Sequence, residues 1–311
     1  MNVRIVCSGN QPDFDFKIHQ AFIYDQVEAI AAANPSIKFS YFFIRQKGAW
    51  GYLKEYRRFR VFIKENPCDL IHAHFGLAAL LAVMQRKEPV IATFHGSDIN
   101  NSKTRIISAV VNLLARASIF VSDGLKKKAL TSVRSYVIPC GVDLSLFFPR
   151  DRNACCEELG LDPQKKHLLF ASHFDNPVKN HKLLEEALIP WDGDKPNVLE
   201  LKNRTRAEVP ILMNAADVCV LTSFSEGSPQ FIKEALACNR PVMATDVGDI
   251  SELIKGAENC RIVTFEPENV RKAIVLLLEQ KASNGRKNME RFDNRVVAAL
   301  VSDVYKSIKQ N

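Results

Sequence analysis

Short apolar runs of β character alternate with helical stretches along the whole chain, and that alternation leaves few architectures open. Val3 to Cys7 breaks at Ser8-Gly9-Asn10-Gln11-Pro12, which reads as a buried parallel strand followed by a loop. A helix is expected over roughly Ile18 to Ala33. Further runs at Phe39 to Ile44, Asp69 to His72, Val90 to Thr93, Ser118 to Ser122 and Ser135 to Ile138 are separated by helical stretches such as Leu77 to Arg86 and Ile106 to Ala115. Strand alternating with helix implies a parallel sheet covered on both faces.

The alternation lapses between Pro139 and Arg150 and restarts at His167. Strands are expected near Leu168 to Ala171, Val198 to Leu201, Val218 to Thr222, Pro241 to Ala244 and Arg261 to Val263. The fold class is therefore α/β with two Rossmann-like, doubly wound domains, and 311 residues suffice for both. We place the domains at 1–148 and 149–292, with 293–311 as a C-terminal helix. Val296, Val297, Leu300, Val301, Val304 and Ile308 recur at helical spacing there, so the helix should pack as cover. Ligands of such sheets sit beyond the carboxyl ends of the strands, so two such units face to face would line a cleft with strand-end loops.

Composition narrows the classes of function. The eight cysteines are scattered without a CxxC pair or a His-rich cluster at zinc spacing, and they read as reduced, buried thiols. Asp13-Phe-Asp15 has the spacing of a cation-binding pair but lies just after the first strand, and no metal site is expected. No apolar run is long enough to cross a membrane and the start lacks a secretory pattern, so a cytoplasmic chain is expected. Residues 1–150 hold 20 Lys+Arg against 11 Asp+Glu, whereas the remainder holds 22 against 24. An anionic partner on the first half fits that imbalance, but no recognition motif accompanies it and nucleic acid is not expected.

The most informative segment runs from the strand at Val218 through Glu226-Gly227-Ser228-Pro229-Gln230-Phe231 to Glu234. Gly227 lets backbone approach a ligand, Pro229 suits a first helical position, and the amides of Ser228, Gln230 and Phe231 would offer an anion site at the helix start. Glu226 and Glu234 stand eight residues apart, just over two helical turns, and each carboxylate can accept from the vicinal hydroxyls of a ribose or hexose. Two solvated helix glutamates would be the plain alternative.

Glu226 to Glu234, together with Pro241 to Ile254 after it, resembles the E-x7-E signature of glycosyltransferase family 4. Ile138-Pro-Cys-Gly-Val-Asp-Leu-Ser-Leu-Phe-Phe-Pro149 is similar to that family's interdomain I-P-N-G-V-D stretch, with Cys140 in the place of Asn. His72-Ala-His74-Phe-Gly and Thr93-Phe-His95-Gly-Ser-Asp98 resemble its acceptor-domain motifs. The resemblance implies a GT-B fold and a retaining, metal-independent transfer from a nucleotide-sugar, UDP- or GDP-linked, to a saccharide or lipid-linked acceptor in polysaccharide or glycolipid biosynthesis. No cofactor is implied beyond the donor.

By that resemblance Glu234 would bind ribose and Glu226 the donor sugar, with Gly227, Ser228, Pro229, Gln230 and Phe231 at the donor's oxygens. Lys179 matches the family's phosphate-neutralising lysine. His173 stands where an arginine is usual, a weaker and pH-sensitive grip whose structural alternative is a core histidine. His95 would act at the reacting sugar or orient the acceptor, assisted by Asp98, the alternative for His95 being a helix cap. Gly9 would approach the donor phosphates. His72 and His74 read as structural.

Tyr52 to Lys64 places Tyr52, Tyr56, Phe59 and Ile63 on one helical face among five cations. Such a helix could dock peripherally on the anionic inner face of a membrane; an ordinary core-packed helix with a solvated basic face reads equally well. Two further functions share the fold: a nucleotide-sugar epimerase, which needs no acceptor, and a non-catalytic nucleotide-binding relative, which would bind a diphosphate without transfer.

Overall fold

The computed structural model describes residues 1–309 except 132 and 281. It contains two compact units, Met1–Gly141 with Asn294–Asn311, and Val142–Asp293. The first holds a six-stranded sheet of β1 (Asn2–Ser8), β2 (Lys38–Ile44), β3 (Leu70–His74), β4 (Val90–Phe94), β5 (Ala117–Phe120) and β6 (Ser135–Val137), in the order β2-β1-β3-β4-β5-β6. The second holds β7 (His167–Phe170), β8 (Asn197–Glu200), β9 (Val218–Leu221), β10 (Val242–Thr245) and β11 (Cys260–Val263), in the order β11-β10-β9-β7-β8. Every pairing is parallel, with Ile5 opposite Tyr41 on one side and His72 on the other. All of β3, β4 and β9 is buried; β9, Val-Cys-Val-Leu, accordingly reads as a continuous apolar run, whereas β3 buries two imidazoles.

In the first unit, alternate residues of β1 feed two cores. Val3, Ile5 and Cys7 pack with Ile23, Val27 and Ile30 of helix Ala21–Ala33 and with Val301 and Tyr305 of helix Asn294–Lys309. Val6 joins Phe42, Phe59, Ile63 and Val111 on the opposite face, under helices Gly48–Glu65, Gly76–Val83 and Ser102–Leu114.

Four expectations change in detail. The first helix is broken at Gln20, whose φ of −133° and ψ of 40° separate Phe16–His19 from Ala21–Ala33. The units divide after Gly141, ahead of the expected 148, because Val142 N donates to Phe292 O at 2.8 Å and Phe147 is fully buried in the second unit's core. The C-terminal helix belongs to the first unit, and of its apolar residues Val296 and Leu300 are exposed. In helix Gly48–Glu65 the expected docking face turns inward: Phe59 and Ile63 are core, with Tyr52 and Tyr56 packed against them. The outward face instead carries Trp50, Leu53 and Val61 among Lys54, Arg57, Arg58, Arg60 and Lys64. No helix among the described residues is long and apolar enough to cross a membrane.

Candidate functional site

In the second unit the loops that follow β7 and β9 are tied together at the carboxyl ends of their strands. Thr222 Oγ1 donates to the carbonyls of Lys179 and Asn180, both at 2.9 Å, and Phe224 N donates to Val178 O at 2.9 Å. Thr245 Oγ1, at the end of β10, fixes the same loop through Ser223 O at 2.7 Å. These ties bring Lys179 Nζ to 2.6 Å from Glu226 Oε1, and Ser223 Oγ donates to that oxygen at 2.7 Å. The two charged side chains are 22% and 13% exposed, so the pair is shielded from bulk water yet open to a ligand.

Beyond Glu226 the chain enters helix Gln230–Ala237. Pro229 is its N-cap, with φ −69° and ψ 117°, rather than its first helical residue, and its ring supplies no capping hydrogen bond. Ser228 Oγ donates to Asp249 Oδ2 at 2.7 Å. Desolvation raises the Asp249 carboxyl, and Lys233 and Ser228 oppose that rise. Gly227 is covered by Gly248, whose φ is +66°; a Cβ there would stand 3.0 Å from Gly227 O and 3.3 Å from the Glu226 side chain. Phe231 points into the core, so it can serve a ligand through its backbone alone.

Glu234 is nearly buried and is met by a residue that sequence reasoning missed. Arg206 Nη1 donates to Glu234 Oε1 at 2.5 Å, and the guanidinium lies 4.5 Å from the Phe147 ring centroid. The local sequence signals a helix start, since Glu208 Oε2 accepts from Thr205 N at 2.8 Å, but nothing in it points to a carboxylate 28 residues away. His173 is exposed, which removes the core-histidine alternative.

In the first unit, His95 follows β4 and joins a row of imidazoles. His74 Nδ1 lies 3.1 Å from His95 Nε2, and Cys140 Sγ lies 3.6 Å from His95 Nδ1. Behind them His72 is held between Tyr305 Oη and Thr93 Oγ1, each at 2.7 Å. Burial depresses the His72 imidazole to about 3 and holds His74 well below its ordinary range, so both are neutral at pH 7. His72 and His74 lie inside β3 as parts of the core.

Asp98 is buried, and its carboxylate accepts the amides of Gly96 at 2.8 Å, His95 at 3.1 Å and Gly76 at 3.2 Å. Desolvation raises its carboxyl and these amides oppose the rise. Its visible work is to shape the His95 loop. Gly9 N donates to Ile44 O at 2.9 Å and Gly9 O accepts from Arg45 Nη1 at 3.1 Å, while a Cβ at Gly9 would meet Phe43 at 3.0 Å and Phe14 at 3.1 Å. Packing against Phe43 Cβ and the Phe14 ring accounts for the glycine. Asp15 accepts from Lys17 N as a helix cap.

Comparison with known proteins follows this division. The profile of Glycosyltransferase Family 4 matches residues 1–146, and that of Glycosyl transferases group 1 matches residues 164–280. TuaC of Bacillus subtilis strain 168, assigned as a teichuronic acid biosynthesis glycosyltransferase, is 30% identical over 213 residues, covering 60% of this chain and 55% of its own. The UDP-Gal:alpha-D-GlcNAc-diphosphoundecaprenol alpha-1,3-galactosyltransferase of Escherichia coli is 25% identical over 238 residues, or 62% of each chain. The chain thus spans little more than half the length of these curated relatives. Among solved structures, sucrose-phosphate synthase from Thermosynechococcus elongatus superposes with a TM-score of 0.81 at 18% identity, covering 99% of this chain and 98% of that one. Anabaena HepE in complex with UDP and glucose gives 0.76 at 18% identity over 98% and 99%. The two parallel-sheet units are those of the GT-B fold.

Proposed function

Because the chain belongs to the family 4, group 1 glycosyltransferases, we propose that it transfers a sugar from a nucleoside diphosphate donor to a saccharide or lipid-linked acceptor, with retention and without a metal or other cofactor. The observation that carries this reading is the Lys179–Glu226 pair at 2.6 Å beside the start of helix Gln230–Ala237. A departing nucleoside diphosphate builds negative charge, and a fixed ammonium with helix-start amides stabilises that charge as Mg2+ would elsewhere. Glu226 takes the donor sugar's hydroxyls and Glu234 the ribose. His95, on the loop that Asp98 shapes, serves the acceptor side. HepE was solved with UDP, which favours a uridine donor here, and the Escherichia coli relative, which acts on a diphosphoundecaprenol-linked sugar, favours a lipid-linked acceptor.

Such an acceptor would place the protein at the cytoplasmic face of a membrane. The outward face of helix Gly48–Glu65 suits that surface: Trp50 is 80% exposed and Val61 55%, among five cations. The helix starts from the carboxyl end of β2, the end of the sheet that carries the His95 loop.

Calorimetric titration with UDP and GDP in EDTA, followed by transfer assays with the anomeric configuration read by NMR, tests the reading. Micromolar diphosphate binding in EDTA, lost in Lys179→Ala, and an α product from an α donor are expected. An inverted product, or dependence on Mg2+, would overturn the mechanism; a new sugar isomer from donor alone would point to epimerisation. Flotation with anionic but not neutral liposomes, lost in Trp50→Ser/Arg57→Glu, is expected for the membrane face, and equal recovery with both lipids would remove it.

A further inference from the structure

We infer that Arg206 is the positioning residue that aims Glu234 at the ribose of the donor, an inference that rests on the ribose role proposed for Glu234. The 2.5 Å contact between Arg206 Nη1 and Glu234 Oε1 joins side chains that are only 19% and 6% exposed. A carboxylate so removed from water needs a cation to stay ionised, and a guanidinium fixes its rotamer through a directed N–H.

Arg206 is itself fixed. Its guanidinium stacks 4.5 Å above the fully buried Phe147 ring. Phe147 in turn is tied to the helix that carries Glu234 by one residue: Arg286 Nη1 donates to Phe147 O at 2.5 Å and to Ala237 O at 2.8 Å, and Arg286 Nη2 donates to Leu144 O at 2.7 Å. Arg286 therefore sets Phe147 against helix Gln230–Ala237, Phe147 sets the plane of Arg206, and Arg206 sets Glu234. A hydroxyl pair of fixed geometry is read well only by a carboxylate that does not swing, because the ordering is then complete before the ligand arrives.

A strut that merely stabilises the unit would, when removed, weaken every nucleotide alike. A positioning residue weakens only those ligands that carry the hydroxyls. The test is a cycle of ligands and variants: dissociation constants for uridine diphosphate and 2′,3′-dideoxyuridine diphosphate with wild type, Arg206→Met, Arg206→Lys and Glu234→Ala, with melting temperatures as the check on folding. Wild type should prefer the ribose form by about tenfold or more. Arg206→Met should bring that ratio towards one while its affinity for the dideoxy form stays within about threefold of wild type. Arg206→Lys, which keeps the charge without the fork, should fall between them.

Equal weakening of both ligands in Arg206→Met, or a ratio left as in wild type, would overturn the inference. A ratio unchanged in Glu234→Ala would overturn the ribose reading and this inference with it. Collapse in Glu234→Ala with no change in Arg206→Met would remove Arg206 alone. The guanosine pair is run in parallel, and a wild type that binds neither series would end both readings.

Discussion

Lys179 Nζ lies 2.6 Å from Glu226 Oε1, and Ser223 Oγ donates to that same oxygen at 2.7 Å. One carboxylate oxygen thus holds both the cation proposed for the leaving group and the hydroxyl that orients the loop. In the proposed reaction a donor would share these partners, and the pair's charges already balance before it arrives. Lys179→Met should lower kcat about 10²- to 10³-fold, the usual loss for one electrophilic group. Ser223→Ala, which leaves the ion pair in place, should cost less than about tenfold. Steady-state transfer kinetics measure both, and a Lys179→Met enzyme within threefold of wild type would remove the lysine from catalysis.

Gly248 supports that site from behind. Its φ of +66° disfavours a side chain, and a Cβ would press on Gly227 O at 3.0 Å and on the Glu226 side chain at 3.3 Å. Gly248→Ala should therefore cost about 1–2 kcal/mol in stability and displace the Glu226 turn, weakening diphosphate binding. Denaturant unfolding and calorimetry on the same sample check the two effects. Stability lost without any change in affinity would mean the turn is not part of the nucleotide site.

The strands and the Glu226–Glu234 helix were legible because buried parallel strands read as apolar runs and a strand-loop-helix site is contiguous in sequence. What was not legible depends on the direction of a side chain or on distant partners. Tyr52 and Phe59 share a helical face with one another, but periodicity cannot say that this face meets the sheet while Trp50 and Val61 meet solvent. Val142 pairs with Asp293 as an isolated bridge across 151 positions, which moves the division of the units from the second of the two flanking prolines, Pro149, back to just after the first, Pro139. Arg206 reaches Glu234 only because helix Gln230–Ala237 and the turn ahead of Glu208 are neighbours in space. The motif places His95 on the loop after its strand, whereas the row of His74 and His72 behind it needed coordinates.

That row makes a stability prediction. In the unfolded chain an imidazole takes its proton near pH 6.5, whereas His72 in the fold resists protonation down to about 3. Between those values the unfolded state binds more protons, so stability falls as pH falls. The His72 share is on the order of 2 kcal/mol between pH 6.5 and 5. His72→Gln does not titrate, so its stability should fall less steeply than wild type over that range in denaturant unfolding. Parallel slopes for the two proteins would show that His72 is protonated in the native state.

Asp98 gives the sharpest separation between the two halves of the proposed reaction. Its carboxylate gathers the amides of His95, Gly96 and Gly76 at 2.8–3.2 Å, and Gly96 adopts a φ of 130° to let the turn close. Asn in its place would set an NH2 against at least one of those donors, leaving a buried amide unpaired at a cost of about 1–3 kcal/mol. The His95 loop should then lose its shape while the second unit, with Lys179, Glu226 and Glu234, is untouched. Asp98→Asn is accordingly expected to raise the acceptor KM or lower kcat, with kcat/KM for acceptor down about tenfold or more, and to bind nucleoside diphosphate within twofold of wild type. A parallel loss of diphosphate affinity would mean that the His95 loop serves the donor as well. Full transfer activity would mean that the loop's shape does not bear on the acceptor.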